Sequence, residues 1–237
     1  MPTATAFETI ELTTAEGICT ITLNRSDVLN AFNNTLTNEL AQALKDASRN
    51  KDVRVVVITG SGRAFSSGQD LGDLKEKYVP GHEPHLGEDL QCRYNPIIKA
   101  IQSMEKPVIA AINGVAAGAG CSLALACDLR IASTDASFIE VFVNVGLIPD
   151  SGSTWTLPRL IGLGRAMELC CTGRKVDAEE ALAIGMVNQV VPSDELDDAV
   201  QKMASRIASL PEKAISLTKR LLNQSYENDL AEQLSQE

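Results

Sequence analysis

The sequence is poor in aromatic residues, in histidine and in positive charge. Phe, Tyr and Trp together make up only 4% of its 237 residues, too few for the stacking platforms that hold single-stranded nucleic acids. Lys and Arg number 21 against 31 Asp and Glu, a net charge of −10. Such a surface repels phosphate backbones and anionic membranes, so neither nucleic acid nor membrane is an expected partner. Only two histidines occur, His82 and His85, so histidine catalysis is restricted to that Pro- and Gly-flanked stretch. The six cysteines include no C-x-x-C spacing, the usual signature of a redox pair or zinc site. The N-terminal residues show no basic segment followed by an apolar run, so a cytoplasmic protein is expected. Its cysteines then read as small buried thiols.

Hydrophobic residues at 44% and charged residues at 22% are ordinary for a globular protein, and the length suffices for a real core without metal or disulfide staples. One long apolar stretch, 107–127, carries only Asn113 and Ser122 as polar side chains. It opens with Pro107, contains an Asn-Gly turn signal and is rich in Ala rather than Leu, so it reads as strand, turn and buried helix rather than a membrane span.

Residues 7–12 and Ile18–Leu23 flank Glu16-Gly17 and predict a β-hairpin. Leu36, Leu40, Leu44 and Ala47 share one face of a helix over 35–47. Strands are predicted at 54–59, 107–112, 129–132, 138–143 and 186–191, with helices at 90–104 and 118–126. Residues 78–88 read as a mobile loop. From Gly152 onward the pattern is mainly helical, and it stops inside an acidic helix-like stretch. Alternating strands and helices followed by helices predict an α/β fold.

Two glycine-rich segments, 66–71 and 113–120, each follow a predicted strand and open a helix. They are either ordinary turns in which glycine relieves crowding, or backbone N–H groups presented to a developing negative charge. Neither is G-x-G-x-x-G or a P-loop, so those modes of nucleotide binding are not supported. Asp150, in Ile148-Pro149-Asp150-Ser151-Gly152, is either a turn residue or a carboxylate in an apolar cleft poised as a base.

Taken together, Leu23-Asn24-Arg25 with Asn30-Ala31-Phe32, the loop 64–71, Lys106–Gly114 as KPVIAAING, Leu157-Pro158-Arg159 and 182–187 as LAIGMV resemble the crotonase, or enoyl-CoA hydratase/isomerase, family across nearly the whole chain. Ser26 stands where the family usually has Pro. The resemblance implies a crotonase-type spiral of ββα units over 1–195, followed by a helical C-terminal segment, 196–237, that serves trimerisation. It also implies an acyl-CoA thioester as substrate, with no cofactor beyond that CoA, and a homotrimer or a dimer of trimers. By analogy, Gln69 and Ala119 would supply backbone N–H groups to the thioester oxygen. Arg25, Val28, Ala64, Ser67, Asp70 and Leu71 would lie near the CoA, with Arg25 and Arg63 as its local cationic patch.

At the two positions where family hydratases carry glutamates, this chain has Ser122 and Phe142, assigned here to the acyl pocket. Asp150 occupies the position of the single acid/base of family isomerases, and its context looks closest to the isomerases of phenylacetate degradation. The expected activity is therefore a double-bond shift or opening of an epoxyphenylacetyl-CoA. A hydratase, a non-catalytic acyl-CoA binder and a dehalogenase-type enzyme are the alternatives. Glu140 reads as a solvated strand charge; if 138–142 were extended, it would share a face with Phe142 and become a second acid of the cleft.

Overall fold

The computed structural model describes residues 7–70, 72 and 86–237. Its frame is a six-stranded sheet in the order β1-β2-β3-β5-β7-β10. Strands β1 (Ile10–Ala15) and β2 (Ile18–Leu23) form the antiparallel hairpin. Then β3 (Val55–Gly60), β5 (Val108–Ile112), β7 (Leu129–Ser133) and β10 (Gln189–Val191) run parallel to β2. A second sheet, β4-β6-β8-β9, is built from the three-residue strands Ala64–Ser66, Val115–Ala117, Ser137–Ile139 and Lys175–Asp177.

Successive strands alternate between the sheets: β3 enters the first, β4 the second, and the step repeats for β5/β6 and β7/β8. Helices complete the turns of this spiral. The long parallel strands read as unbroken apolar runs because both of their faces are covered; Val55 to Ile58 and every residue of β5 are buried.

Helix α1 (Asn34–Arg49) starts where the Asn33 side chain accepts from the Leu36 N–H at 2.9 Å, satisfying one donor of the first turn. Its face of Leu36, Leu40, Ala43, Leu44 and Ala47 is buried. Helix α2 (Asn95–Ser103) is preceded by one α-turn, Leu86–Asp89, and one π-turn, Leu90–Tyr94. Helix α3 (Ala119–Ala126) is buried at all eight positions, so the apolar stretch 107–127 is accounted for as strand, turn and core helix. No helix among the described residues is long and apolar enough to cross a membrane.

Helices α4 (Ser153–Ile161), α5 (Leu163–Thr172) and α6 (Ala178–Ala183) follow. The C-terminal segment is helical: α7 (Leu196–Ala208), α8 (Glu212–Gln224) and α9 (Leu230–Gln236). Leu196, Val200 and Ala204 of α7 pack on Val55, Val57, Ile109 and Ile131 of the large sheet. Lys219 of α8 pins that helix to the core, its ammonium donating to Asp128 Oδ2 at 2.7 Å and to the Ile101 carbonyl at 2.8 Å.

Three element boundaries differ from the sequence reading. The first strand is Ile10–Ala15 rather than 7–12, since hairpin register through Glu16-Gly17 places Ala15 opposite Ile18. The late strand shrinks to Gln189–Val191 because Met186 and Val187 bond back to the Ala181 carbonyl in a turn. Strand β8 ends at Ile139, and the chain then coils into a 3-10 helix, Val141–Val145. Of the proposed loop at 78–88, residues 86–88 are helical; the remainder, with His82 and His85, lies outside the described residues.

Candidate active site

The two glycine-rich segments meet. Gly68 has φ of +88° and Gly118 of +50°, left-handed conformations that carry no penalty for glycine. A Cβ on Gly68 would stand 2.6 Å from the Ala117 carbonyl oxygen and 3.3 Å from the Ala119 nitrogen, so the loops abut main chain to main chain. The Phe32 N–H donates to the Gly68 carbonyl at 2.7 Å and the Asp70 N–H to the Phe32 carbonyl at 3.0 Å. The Gln69 N–H lies between these bonds and has no acceptor among the described residues. The Ala119 N–H opens α3, where first-turn amides have no partner within the helix, and it too has no acceptor among the described residues.

Both residues line a chamber of about 680 Å³, within the range of small-molecule sites. Val28, Ala31, Val141, Phe142, Leu147 and Ile148 make much of its wall apolar, and Asp150 is on the same wall. The Asp150 side chain is half-buried, and this burial raises its pKa although the Ser151 hydroxyl donates to Oδ1 at 2.8 Å. Main-chain amides and a carboxyl group set among apolar side chains, as Asp150 is, are the components needed for proton transfer beside a polarised carbonyl.

The turn that carries Asp150 is held from behind. Its carbonyl oxygen accepts from the Ser122 hydroxyl at 3.1 Å and from the Ser153 N–H at 3.0 Å. Ser151 (φ +53°) and Gly152 (φ +84°) reverse the chain into α4. Ser122 is wholly buried, and its one hydroxyl proton is shared between the Asp150 carbonyl and the Gly118 carbonyl, the latter at 3.2 Å. Its hydroxyl thus joins the glycine turn to the Asp150 turn, behind the wall that Phe142 helps to form.

Glu140 is not the solvated strand charge expected from its neighbours. It is 3% exposed, because β8 ends one residue earlier and turns this side chain inward. The Ser153 hydroxyl donates to Oε1 at 2.7 Å, and the Cys121 thiol is a second, weaker hydrogen-bond partner of the carboxyl group. Burial raises the Glu140 pKa, and the neighbouring Asp150 carboxyl adds to the rise. With residues 141–145 coiled rather than extended, the shared face with Phe142 is lost. Phe142 lines the chamber and Glu140 does not.

Near the chamber mouth, Arg25 Nη1 donates to Asp70 Oδ2 at 2.9 Å and to the Ala31 carbonyl at 2.6 Å. Val28, Ser67 and Asp70 line the chamber, and Arg63 is exposed. Ala64 is buried in β4, its carbonyl accepting from the Asn30 and Asn113 side chains. Leu71 lies outside the described residues.

The family model described as enoyl-CoA hydratase/isomerase matches residues 13–237. The chain belongs to this family. It is 42% identical over 222 residues to the 1,2-epoxyphenylacetyl-CoA isomerase of Escherichia coli, covering 94% of this chain and 84% of that one. It is 40% identical over 232 residues to a probable enoyl-CoA hydratase of Rhodobacter capsulatus, covering 98% and 88%. Among solved structures, a putative enoyl-CoA hydratase/isomerase from Mycobacterium abscessus superposes with a TM-score of 0.91 at 35% identity, covering 96% of this chain and 87% of that chain. The spiral of ββα units is thus the fold of known enoyl-CoA hydratase/isomerase structures, and the chain is an enzyme of that family.

Two residues of this enoyl-CoA hydratase/isomerase site escaped the sequence reading. Asn30 is fully buried with φ +54°. Its Oδ1 accepts from the Arg25 N–H at 2.9 Å, and its Nδ2 donates to the Ser61 and Ala64 carbonyls at 2.9 and 2.8 Å. It therefore fastens the Arg25 loop to the loop that presents Gln69. The only local signal was residue type, since Asn tolerates left-handed backbone and both donates and accepts. Tyr94 is the second: its hydroxyl donates to the Gln69 side chain, and its ring packs edge-on to Phe32 at 5.9 Å between centroids.

Proposed function

We propose that this enzyme is an acyl-CoA isomerase that shifts a C=C bond, or opens an epoxyphenylacetyl-CoA, through a thioester enolate. The observation that carries the reading is Asp150, a carboxyl group among the apolar side chains of the chamber wall that also bears Gln69 and Ala119; Asp70 and Asp89 line the chamber too, but each faces an arginine, Arg25 and Arg93 respectively. As a carboxylate, Asp150 takes the proton from the carbon next to the thioester of a 3-enoyl-CoA. The electron pair moves onto the carbonyl oxygen, which the Gln69 and Ala119 N–H groups hold as it becomes negative. Asp150 then returns the proton to C4, leaving the double bond in conjugation with the thioester. Arg25, Val28, Ala64, Ser67 and Asp70 are assigned to the CoA side, and Ser122 and Phe142 to the acyl side, Ser122 acting through the turns it joins. The name of the Escherichia coli relative supports the epoxide branch of the reading.

Hydration of a C=C bond uses one group to activate water and another to handle the proton. Ser122 and Phe142 cannot fill those roles as free acid and base, and Glu140 is enclosed behind the wall. The deciding experiment is Asp150→Asn with 3-hexenoyl-CoA. Turnover is expected to fall by about 10³-fold, with the affinity for hexanoyl-CoA nearly unchanged; full turnover in this variant rejects the assignment. Crotonyl-CoA hydration abolished by Glu140→Gln would establish a hydratase instead. Tight binding with no proton exchange in deuterated water would establish a binding protein.

Assembly into trimers or pairs of trimers belongs to the same reading. Ile148, Leu163 and Leu230 are 80%, 69% and 75% exposed, apolar surface that a partner copy would cover. Sedimentation velocity giving only a monomer would remove it.

A further inference from the structure

The Gln69 N–H and the Gly68 carbonyl belong to one peptide unit, so a bond that directs the carbonyl also directs the amide. A trans peptide is planar, and its C=O and N–H point in opposite directions. The Phe32 N–H holds the Gly68 carbonyl at 2.7 Å, and Phe32 and Gln69 pair as an isolated parallel bridge. The Gln69 N–H is thereby aimed away from Phe32. Gly68, at φ +88°, offers little conformational restraint of its own. The direction of this amide therefore depends on what keeps Phe32 and Gln69 together.

Tyr94 touches both. Its hydroxyl donates to Gln69 Oε1, and its ring stands edge-on to the Phe32 ring at an interplanar angle of 87°, a favoured aromatic arrangement. Gln69 Nε2 is tied in turn to the Asp70 carbonyl at 3.2 Å. Tyr94 is buried, with the guanidinium carbon of Arg93 5.4 Å from its ring centroid. It closes the π-turn Leu90–Tyr94 that leads into α2. Such turns are uncommon and frequent at functional sites. Ile97 and Ile101 seat α2 in the core, so Tyr94 reaches the bridge from a firmly packed element.

We propose that Tyr94 is a positioning residue, which braces the Phe32–Gln69 bridge from α2 and so fixes the direction of the Gln69 N–H. This role rests on the proposed donation of that N–H to the thioester oxygen, and not on Asp150 chemistry. A hydrogen bond weakens steeply as its angle closes. An unbraced amide then remains in the chamber but polarises the carbonyl less.

The test uses hexanoyl-CoA, which has no double bond to move, isotopically labelled at the thioester carbonyl carbon. Infrared difference spectra read the carbonyl stretch of the bound ester. In wild type the band is expected to move to lower frequency on binding. Tyr94→Phe, which keeps the ring against Phe32 and removes only the hydroxyl, should lose about half of that shift or more. With 3-hexenoyl-CoA, kcat should fall roughly tenfold at little-changed KM, a smaller loss than the about 10²–10³-fold of removing a donor outright. Gln69→Met keeps the main-chain N–H and discards the acceptor of the Tyr94 hydroxyl. It should show the same losses, and the double variant should be no worse than either single one. Gln69→Met carries the test if Tyr94→Phe fails to fold. A full band shift in Tyr94→Phe overturns the proposal, as do losses that add in the double variant. A weaker hexanoyl-CoA affinity with the full shift retained also overturns it, and makes Tyr94 a substrate contact. A wild-type band that stays in place on binding rejects the amide–thioester contact itself and this role with it, whereas full turnover in Asp150→Asn leaves the role of Tyr94 standing.

Discussion

The Ser122 hydroxyl reaches the main-chain carbonyl of Asp150 across 3.1 Å. A residue expected to face the acyl group instead fixes the backbone of Asp150, a residue that lines the chamber. Serine at this position is thus part of how the Asp150 turn is held, since the hydroxyl is short enough to stay behind the wall and still bridge the Gly118 and Asp150 turns.

Removing that bridge should reveal itself in turnover more than in binding. Ser122→Ala leaves the Asp150 carbonyl with only the Ser153 N–H. We expect kcat for 3-enoyl-CoA isomerisation to fall by roughly tenfold with KM little changed, and stability to drop by about 1 kcal/mol. Steady-state kinetics and urea unfolding read the two effects separately. A rise in KM at constant kcat would show that Ser122 contacts substrate.

The pH profile should report the burial of Asp150. In the proposed mechanism the carboxylate is the active form, so kcat/KM should fall as pH drops through its pKa. Burial raises that pKa above the ordinary 3.8, and the acid limb is expected above the usual aspartate range. The Ser151 hydroxyl stabilises the charged form by donating to Oδ1. Ser151→Ala should therefore move the limb upward by roughly one pH unit. A limb unmoved in Ser151→Ala would assign it to another group.

Glu140 gives a stability signature of opposite origin to that of a salt-bridged acid. Burial raises its pKa in the folded protein above the ordinary 4.5, so the folded state holds the proton more tightly than the unfolded chain does. The resulting stabilisation is complete below pH about 4.5 and is lost as pH rises through the folded value. Glu140→Gln keeps an acceptor for Ser153 but does not titrate. Its stability relative to wild type should climb between about pH 5 and the folded pKa, measured as urea midpoints across that range. Parallel curves would show that Glu140 is ionised in the folded protein.

The contact between the two glycine loops should tolerate no added methyl. Gly68→Ala combines a left-handed φ of +88° with a Cβ 2.6 Å from the Ala117 oxygen, so the loops have to part. We expect kcat to fall by about 10²-fold, the scale of losing one donor to a developing oxyanion, with a stability loss of about 1–3 kcal/mol. Wild-type kinetics in this variant would mean that the two amides act independently of their spacing.

Much of this protein was legible in the chain itself. The amphipathic face of α1, the hydrophobic runs of β3 and β5, and the ordered motifs around Asn30, Gly68, Gly114 and Asp150 are local patterns. Backbone periodicity and glycine geometry make such patterns readable without knowledge of what packs against them. The family and its candidate carboxylate followed from them.

Tertiary structure alone decided where the remaining side chains point. Glu140 looked like a surface charge because an alternating strand pattern shows polarity but not where the strand ends. Its burial follows from a switch to 3-10 coiling at Val141, which covers the side chain with α4. Ser122 was placed at the acyl group, but its hydroxyl is spent on carbonyls brought to it from Gly118 and Asp150, one of them 28 residues away. Asn30 and Tyr94 acquire their roles only when distant loops close on one another. A hydrogen bond is short and directional, so its partner is fixed by where the folded backbone arrives and not by any spacing written along the chain.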